Sequence, residues 1–327
     1  MRFPSFRWPA VAGAALVLVT SLVAAACSTA SAGPVTALEK TSITVDVFPT
    51  IDYAGLFIAQ QEGLFRRQGL NVSITFAPAS RLAVTSVVNG TSDISGSDYV
   101  TDIDSELTGS ARLRIIAEAS SLKPDDLGMF VSADSRITTL NQLKGHTIGV
   151  TSSDDIYTLL IRALLAENGI KADSVSIQFG FQLLNVAQQL SEGQADAAPI
   201  PEPFASEGQQ QYGLQELADV DQGVTTDFPL AGYAVTQVWA CRNPGTLAAF
   251  DRALEQGQDI ADTDRPVFEA AVEKYLGIRP ETAAVISLPD YPLSVAPVQL
   301  QRVADAMVQF GMLPPKDTSF KVTRMTG

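Results

Sequence analysis

Residues 43–70, ITVDVFPTIDYAGLFIAQQEGLFRRQGL, form the strand-to-helix unit that decides the fold. Apolar residues alternate along 43–48, which predicts a β-strand with one buried face. A proline-containing loop follows, and a helix is predicted over 52–68. In an open α/β sheet, ligands bind beyond the carboxyl ends of the strands and beside the first turns of the following helices. This arrangement places three polar side chains in an expected cleft: Thr50, Asp52 and Tyr53.

The later part of the chain repeats this plan. Gly69 ends the first predicted helix before a strand, and Gly169 stands at the same place before the strand that begins near Val175. Gly90 and Gly193 end a second pair of helices, and each is again followed by a strand. Glycine is common after a helix because its left-handed conformation costs little. We therefore predict an α/β protein with two Rossmann-like lobes, each built on a βαβαβ plan.

Lobe boundaries follow from the strands that are expected to cross between the lobes. The strand at 127–131 is expected to carry the chain into the second lobe, and the strand at 232–239 to bring it back. Lobe I is thus predicted from 42–127 plus 233–327, and lobe II from 128–232. The tail of the chain is expected to lie over lobe I. Before that tail, amphipathic helices are predicted at 244–262, 265–276, 280–287 and 296–311.

The first 41 residues indicate export and anchoring. Two arginines precede an apolar run that ends in VAAAC at 23–27, a pattern typical of a signal peptide followed by a lipidated cysteine. We predict a signal peptide over 1–26 and a lipidated flexible tether over 27–41. A membrane-spanning helix is the alternative, and the apolar run is of borderline length for one. The expected location is the cell membrane, lipid-anchored through Cys27 on the extracytoplasmic face.

The composition excludes some classes of partner. The chain of 327 residues carries 36 acidic and 22 basic residues, a formal net charge of −14. A protein this acidic is repelled by nucleic acid and by anionic lipid surfaces, so a lipid anchor is the expected contact with the membrane. Cys27 and Cys241 are the two cysteines. If Cys27 is lipidated, no disulfide can form, and Cys241 is expected to be a buried or half-buried apolar residue.

The motifs of common enzyme classes are absent from the sequence. His146 is the single histidine and lies in a predicted turn before a strand, so a Ser-His-Asp or Cys-His unit would have to use that ring. No HExxH, CxxC or GxSxG motif occurs, and no GxxxxGK[ST] loop is present to bind nucleotide phosphates. We predict no catalytic residue and no cofactor.

An acidic cluster at Asp98, Asp102, Asp104 and Glu106 raises the question of a metal site. Its spacing lacks the glycine and the distal glutamate of a calcium-binding loop. On a helix, Asp102 and Glu106 lie on one face, which we expect to be solvated. We therefore predict no metal site.

Several segments together resemble the substrate-binding proteins of ABC importers. They are GLFIAQQEGLF at 55–65, GLNV at 69–72, LKGHTIGV at 143–150, GQADA at 193–197 and EPF at 202–204. The resemblance is to the group that binds sulfonates, nitrate, riboflavin or thiamine pyrimidine precursors, and it covers nearly the whole mature chain. It implies the type II periplasmic-binding-protein fold with a hinge of two crossing strands. It also implies a monomer that closes on a small-molecule nutrient, with ABC permease and ATPase subunits as partners.

The first loop departs from the pattern of the pyrimidine and riboflavin binders, which is Asp-Trp-x-Pro-Asn-x-x-His-x-Gly-Leu. The positions that fit this pattern are Asp46, Pro49, Gly55 and Leu56. Val47, Thr50 and Tyr53 replace its Trp, Asn and His. The frame thus resembles the branch that binds heteroaromatic ligands, while three positions expected to shape ligand contacts have changed.

Candidate ligand-binding residues stand at the predicted helix starts of both lobes. They are Thr50, Asp52, Tyr53, Ser80, Arg81, Ser97, Asp98, Thr151, Ser152, Ser153, Asp154, Glu202 and Phe204. Arg81 is interpreted either as an anion ligand or as a solvated surface residue. The carboxylates among them would repel a bare anion, whereas they accept charge-assisted hydrogen bonds from amines. Aromatic side chains available to stack on a flat ring are Tyr53, Tyr99, Tyr157 and Phe204.

The predicted ligand is therefore a small heteroaromatic or amine-bearing nutrient, of the thiamine-pyrimidine-precursor or riboflavin type. Binding of a sulfonate, taurine or nitrate is the alternative. A pyrimidine-precursor enzyme is a lesser alternative, because the cysteine-rich motif of the fungal enzymes with a related fold is absent here.

Overall fold

The computed structural model describes residues 37–314 and 321–326, in which ten strands form two five-stranded sheets. The strands are β1 (Ser42–Val47), β2 (Asn71–Phe76), β3 (Ile94–Asp98), β4 (Leu113–Ser121), β5 (Leu127–Val131), β6 (Thr147–Val150), β7 (Ser176–Phe179), β8 (Ala197–Pro201), β9 (Gln215–Asp219) and β10 (Pro229–Thr236).

Helices follow most of these strands. The α-helices are α1 (Ala54–Gln61), α2 (Leu64–Arg67), α3 (Ser80–Asn89), α4 (Tyr99–Thr108), α5 (Ile156–Glu167), α6 (Val186–Ser191), α7 (Phe204–Tyr212), α8 (Gln237–Arg242), α9 (Pro244–Thr263), α10 (Arg265–Leu276), α11 (Pro280–Ala283), α12 (Pro297–Gln309) and α13 (Thr323–Thr326). Short 3₁₀ turns occupy Ile51–Tyr53, Leu140–Leu143, Ala172–Ser174, Leu183–Asn185 and Gly223–Thr225.

The two sheets share one plan. The first has the order β2-β1-β3-β10-β4 and the second has the order β7-β6-β8-β5-β9. We call the first sheet with its helices lobe I and the second lobe II. In each lobe three strands are parallel, and one strand, β10 in lobe I and β5 in lobe II, lies antiparallel beside them. The internal repeat predicted from the sequence is therefore confirmed.

The paired glycines of the repeat adopt the conformation for which they were singled out. Gly69 and Gly169 have φ of 81° and 65°, and Gly90 and Gly193 have φ of 74° and 73°. A side chain would be strained at each of these positions. In both lobes, the chain thus turns from helix to strand at a glycine in the left-handed conformation, and these glycines stand at equivalent positions.

The chain passes between the lobes twice. It leaves lobe I through 122–126, between β4 and β5, and returns through 220–228, between β9 and β10. The strands predicted to cross, 127–131 and 232–239, correspond to β5 and to most of β10. Each is the first strand after a crossing, so the predicted return strand ends early and its last residues begin α8.

The predicted helix 52–68 is divided in the structure. A 3₁₀ turn at Ile51–Tyr53 leads into α1, and α2 follows after Gly63, whose φ is 68°. A left-handed residue cannot continue a right-handed helix, so the chain bends there. The helix predicted over 280–287 is also shorter than expected and ends at Ala283.

Lobe I has the larger aromatic core. The apolar face of β1 is buried as its alternation predicted, and Phe65 stacks on Phe250 with ring centroids 5.2 Å apart. Helix α9 lies directly on α1, where a Cβ placed on Gly257 would come within 2.1 Å of the carbonyl oxygen of Gly55. Glycine at this contact lets the two helix backbones touch.

Both ends of the described chain lie against lobe I. Glu39 accepts hydrogen bonds from the N–H groups of Gly245 and Thr246, at 3.1 and 2.9 Å, at the start of α9. Near the other end, α13 packs against β4 with Val322 and Met325 buried. The described part of the tail, 321–326, therefore lies against lobe I.

The predicted signal peptide, and Cys27 with most of the predicted tether, lie outside the described residues. No helix in the described part of the chain is both long and apolar enough to cross a bilayer. Cys241 is exposed at the last turn of α8, so the expectation that it is buried is wrong. The side chain that anchors this short helix in the core is Ala240, one residue earlier.

Candidate functional site

A cavity of about 570 Å³ lies between the lobes, at the carboxyl ends of the parallel strands of both sheets. Lobe I contributes the segments after β1, β2 and β3, and lobe II those after β6, β7 and β8. Cavities of this size and position commonly hold small ligands in α/β proteins. The internal repeat has therefore brought the ends of equivalent strands together from two distant parts of the chain.

Most of the predicted site residues line this cavity. They are Thr50, Asp52, Tyr53, Ser80, Arg81, Asp98, Thr151, Ser152, Asp154 and Glu202. Ser97, Ser153 and Phe204 are not among the lining residues. The Ser97 hydroxyl is buried and donates to Asp102 at 2.6 Å, Ser153 is exposed, and Phe204 packs on the core of lobe II. Contact of the lining residues with a ligand stays a prediction.

Asp52 is held in the cavity wall by two hydroxyl groups. Ser120 donates to Oδ1 at 2.6 Å from the end of β4, and Thr50 donates to Oδ2 from the loop after β1. Burial raises the pKa of Asp52, and these two hydrogen bonds offset that rise only in part. Asp52 therefore does not cap a helix through its side chain but ties the first loop to a neighbouring strand.

Asp98 caps helix α4 beside the cavity. Its carboxylate accepts from the N–H and the hydroxyl of Thr101, at 2.9 and 2.8 Å. Ser80, at the start of α3, accepts from the Asp98 N–H at 3.2 Å. Burial raises the pKa of Asp98 despite these contacts.

Lobe II repeats these roles with Asp155 and Glu202. Asp155 caps α5, accepting from the Thr158 N–H at 3.0 Å and from the Thr151 hydroxyl. Burial and the nearby Asp98 raise the pKa of Asp155 to about 7. Glu202 accepts from the N–H and hydroxyl of Ser206 at 3.0 and 2.7 Å, and burial raises its pKa as well.

Arg81 connects the lobes. Its guanidinium pairs with Asp104 of lobe I at 2.9 Å and with Asp154 of lobe II. Among the described residues that line the cavity, it is the only arginine, lysine or histidine. The structure adds a role that the sequence did not indicate, an ion pair that joins the two sides of the cleft, and contact of Arg81 with an anion stays a prediction.

The apolar wall of the cavity was largely missed from the sequence. It is formed by Phe48, Pro78, Leu82, Ile156, Tyr157, Phe181, Leu183, Leu184 and Leu230. Of the aromatic residues proposed to stack on a ring, Tyr53 and Tyr157 line the cavity, whereas Tyr99 is fully buried and Phe204 does not line it. The sequence held a usable signal for this wall. The internal repeat pairs the segment after β7 with the segment after β2, and the segment after β2 was already predicted to lie at the site.

Asp126 was also missed, although it lines the cavity at the first crossing between the lobes. In the sequence it stands in Lys123-Pro124-Asp125-Asp126, which has the composition of an ordinary surface turn. Only the meeting of the two lobes around this turn buries its second aspartate.

The acidic cluster on α4 is not a solvated face. Asp102 is fully buried, and burial raises its pKa to about 8, while Glu106 accepts from Arg112 and from the Leu113 N–H at 2.8 and 3.0 Å. The expected exposure of Asp102 and Glu106 is therefore wrong, because α4 is covered by α12, α5 and β10. Within the described residues, no group of three or more His, Cys, Asp or Glu side chains is placed to hold a metal ion.

Comparisons with known proteins agree with this geometry. A family model described as NMT1/THI5 like matches residues 50–265. A curated protein of Escherichia coli (strain K12), named for binding aliphatic sulfonates, is 24% identical over 272 residues, which are 80% of this chain and 82% of that protein.

Solved structures show the same fold. The alkanesulfonate-binding protein SsuA from Xanthomonas axonopodis pv. citri, bound to MOPS, has a TM-score of 0.73 at 17% identity, covering 86% of this chain and 96% of its own. The periplasmic nitrate-binding protein NrtA from Synechocystis PCC 6803 has a TM-score of 0.73 at 15% identity, covering 86% and 85%. The predicted two-lobed periplasmic-binding-protein fold is therefore confirmed.

Proposed function

The chain belongs to the NMT1/THI5-like family, and from that membership we propose that it is the extracytoplasmic solute-binding component of an ABC importer. The observation that supports this most is the cavity of about 570 Å³ between two similar lobes. Bending at the crossings 122–126 and 220–228 would close the lobes over a solute. The closed form would deliver the solute to a permease that is driven by a separate ATPase.

A heteroaromatic or amine-bearing nutrient is the ligand class that the cavity favours. Its carboxylates accept hydrogen bonds from ring N–H groups and amines, and its one arginine is already paired with two carboxylates. Tyr157 and Phe181 face the same space and offer aromatic surface to a flat ring. The thiamine pyrimidine precursors and riboflavin combine these features.

Binding of a sulfonate, taurine or nitrate is the second candidate. The names of the Escherichia coli relative and of the two solved structures favour it. One structural observation also does: α3 begins at the cavity wall with Ala79 as its N-cap, and no side chain caps its first N–H groups. Free N–H groups at a helix start can bind an anion.

A thermal-shift screen separates these candidates. The ligands are riboflavin, 4-amino-5-hydroxymethyl-2-methylpyrimidine, spermidine, taurine and nitrate. A true ligand at a hundredfold over its dissociation constant should stabilise the protein by about 2.7 kcal/mol. Stabilisation by the pyrimidine or riboflavin is expected. Stabilisation by taurine or nitrate alone would establish the second candidate, and a flat response to the whole panel would count against solute binding of these classes.

A role in binding rather than catalysis fits the placement of the chain's single histidine. His146 lies outside the cavity lining, in the turn before β6, with Nδ1 at 3.3 Å from Asp196. We therefore propose that the protein releases its ligand unchanged. Recovery of a chemically altered compound after incubation with the purified protein would show otherwise.

Anchoring through Cys27 is part of the proposal, with the protein acting as a monomer at the cell membrane. Cys241 is disulfide-bonded in the structure, so the expectation that no disulfide forms is wrong, and lipidation of Cys27 stays a prediction. Cys27→Ser should release the protein from membranes, whereas Cys241→Ser should leave it anchored. An intact mass without acyl chains in the membrane fraction would refute lipidation.

A further inference from the structure

Asp126 differs from every other acidic residue that lines the cavity. It is 3% exposed and lies at the crossing between β4 and β5. Within the described part of the chain, no N–H or O–H group donates to its carboxyl oxygens. The Asp126 oxygens are not among the fully buried polar atoms without a partner, and the residue lines the cavity, so a group inside the cavity can donate to them.

The remaining carboxylates of the cavity are all engaged within the protein. Asp52 has Ser120 and Thr50, Asp98 has Thr101, and Asp155 has Thr158 and Thr151. Glu202 has Ser206, while Asp154 has Arg81 and Ser152. Each of these groups is therefore positioned before any ligand arrives, and Asp126 alone retains its full capacity to accept hydrogen bonds.

The surroundings of Asp126 are negatively charged. The groups that act on its carboxyl are Asp52, Glu202, Asp219 and Asp221, with Tyr157 and Tyr291 nearby. Burial and these carboxylates raise the pKa of Asp126 well above its usual value. The lysine closest to Asp126 along the sequence, Lys123, is paired with Asp290 at 2.8 Å. A ligand that brings positive charge would relieve this repulsion.

We propose that Asp126 is a specificity-determining residue that accepts hydrogen bonds from a cationic amine or amidine group of the ligand. The proposal rests on the solute-binding function above and narrows its ligand class to molecules with a protonated nitrogen. The position of Asp126 adds a consequence for closure. Its carbonyl accepts from the Glu202 N–H of lobe II at 2.8 Å, so a cation held there touches the crossing about which the lobes bend.

A matched pair of ligands and a matched pair of variants test this proposal. The ligands are 4-amino-5-aminomethyl-2-methylpyrimidine and its 5-hydroxymethyl analogue, which differ in one amine. The variants are Asp126→Asn and Asp125→Asn; Asp125 is the exposed neighbour, and asparagine tolerates its φ of 66°. Dissociation constants are measured by titration calorimetry, with melting curves as a control for folding.

The expected result is a loss of affinity for the aminomethyl ligand of about tenfold to a hundredfold in Asp126→Asn. The hydroxymethyl ligand should lose less than about threefold, and Asp125→Asn should bind both like the wild type. The wild-type affinity for the amine should fall as pH falls, because protonation of Asp126 competes with the cation, while Asp126→Asn shows a flatter profile.

Other outcomes overturn the inference without touching the proposed function. Equal affinity of Asp126→Asn and the wild type for the amine would show that the carboxylate is not a contact. Tight binding of nitrate or methanesulfonate, with neither amine nor spermidine bound, would show that Asp126 does not recognise a cationic ligand. A failure of every compound in the wider screen would instead weaken the proposed function itself.

Discussion

Lobe I and lobe II present matching groups to the cavity but hold them by different means. After its first parallel strand, β1 in lobe I and β6 in lobe II, each lobe has a threonine that donates to an aspartate, Thr50 to Asp52 and Thr151 to Asp155. Asp155 also accepts a hydrogen bond from the Thr158 N–H three residues later, which is a local helix cap. Asp52 instead accepts its second hydrogen bond from the hydroxyl of Ser120, 68 positions away on β4. One carboxylate is thus placed by local structure and the other by the assembled sheet.

The same difference holds for the helices behind the cavity. In lobe I, the backbones of α1 and α9 touch at Gly55 and Gly257, a contact between distant parts of the chain. In lobe II, α7 packs at Gly208 against the side chain of Leu214 and against α6. Both of these are close to α7 in the sequence. The comparison teaches that lobe I depends on long-range contacts, whereas lobe II is built mostly from its own neighbours.

The largest expected effect comes from placing the same methyl group in both lobes. Gly257→Ala would set its Cβ 2.1 Å from a backbone oxygen, so α9 must move, and a loss of about 1–3 kcal/mol is expected. Gly208→Ala meets Leu214 Cδ1, a movable side chain, at 2.7 Å and the Ala187 Cβ at 3.0 Å. It also gains helix propensity, so its change should stay within about 1 kcal/mol. Urea unfolding measures both, and equal losses would contradict the comparison.

An intermediate effect is expected from pH, through one buried acid in each lobe. Burial raises the pKa of Asp102 in lobe I to about 8 and that of Asp155 in lobe II to about 7, from 3.8 in both cases. Between pH 4 and these values the unfolded chain is ionised while the folded acid keeps its proton. The folded state then binds more protons, so the ligand-free protein should become less stable as pH rises from 5 to 8.

Asparagine variants assign this pH dependence to each lobe. Asp102→Asn should flatten the fall in melting temperature up to about pH 8, and Asp155→Asn, which still caps α5, should flatten it up to about pH 7. Melting curves from pH 5 to 8 measure both. A wild-type melting temperature that rises over this interval would show that these carboxyls are ionised in the folded protein.

The smallest effect on stability is expected from a change at the contact between the lobes. This change should instead alter the shape of the molecule. Arg81→Gln removes the pairing of lobe I with Asp154 of lobe II, so the open form should be more populated and the radius of gyration larger in solution scattering. Arg112→Gln removes an ion pair with Glu106 inside lobe I and serves as the control. Both should change stability by less than about 1 kcal/mol. An unchanged radius for Arg81→Gln would remove its role in holding the lobes.

Much of the fold could be predicted because its signals are local. The alternation in β1, the left-handed glycines Gly69 and Gly169, and the polar helix starts each depend on a few neighbouring residues. Most candidate site residues were found for the same reason, since strand ends and helix starts can be located from periodicity. Asp102 and Glu106 were misjudged because their helix is covered on several sides by elements that lie far along the chain.

The sequence by itself determined that this protein has two similar α/β lobes with polar groups at the strand ends, because those features follow from residue periodicity and backbone conformation. Only the tertiary structure decided what those groups do. It paired Arg81 across the cleft, tied Asp52 to Ser120, and left Asp126 buried without a donor. Burial and hydrogen-bond partners are set by which surfaces meet, and a turn such as 123–126 carries no local record of the lobe that will cover it.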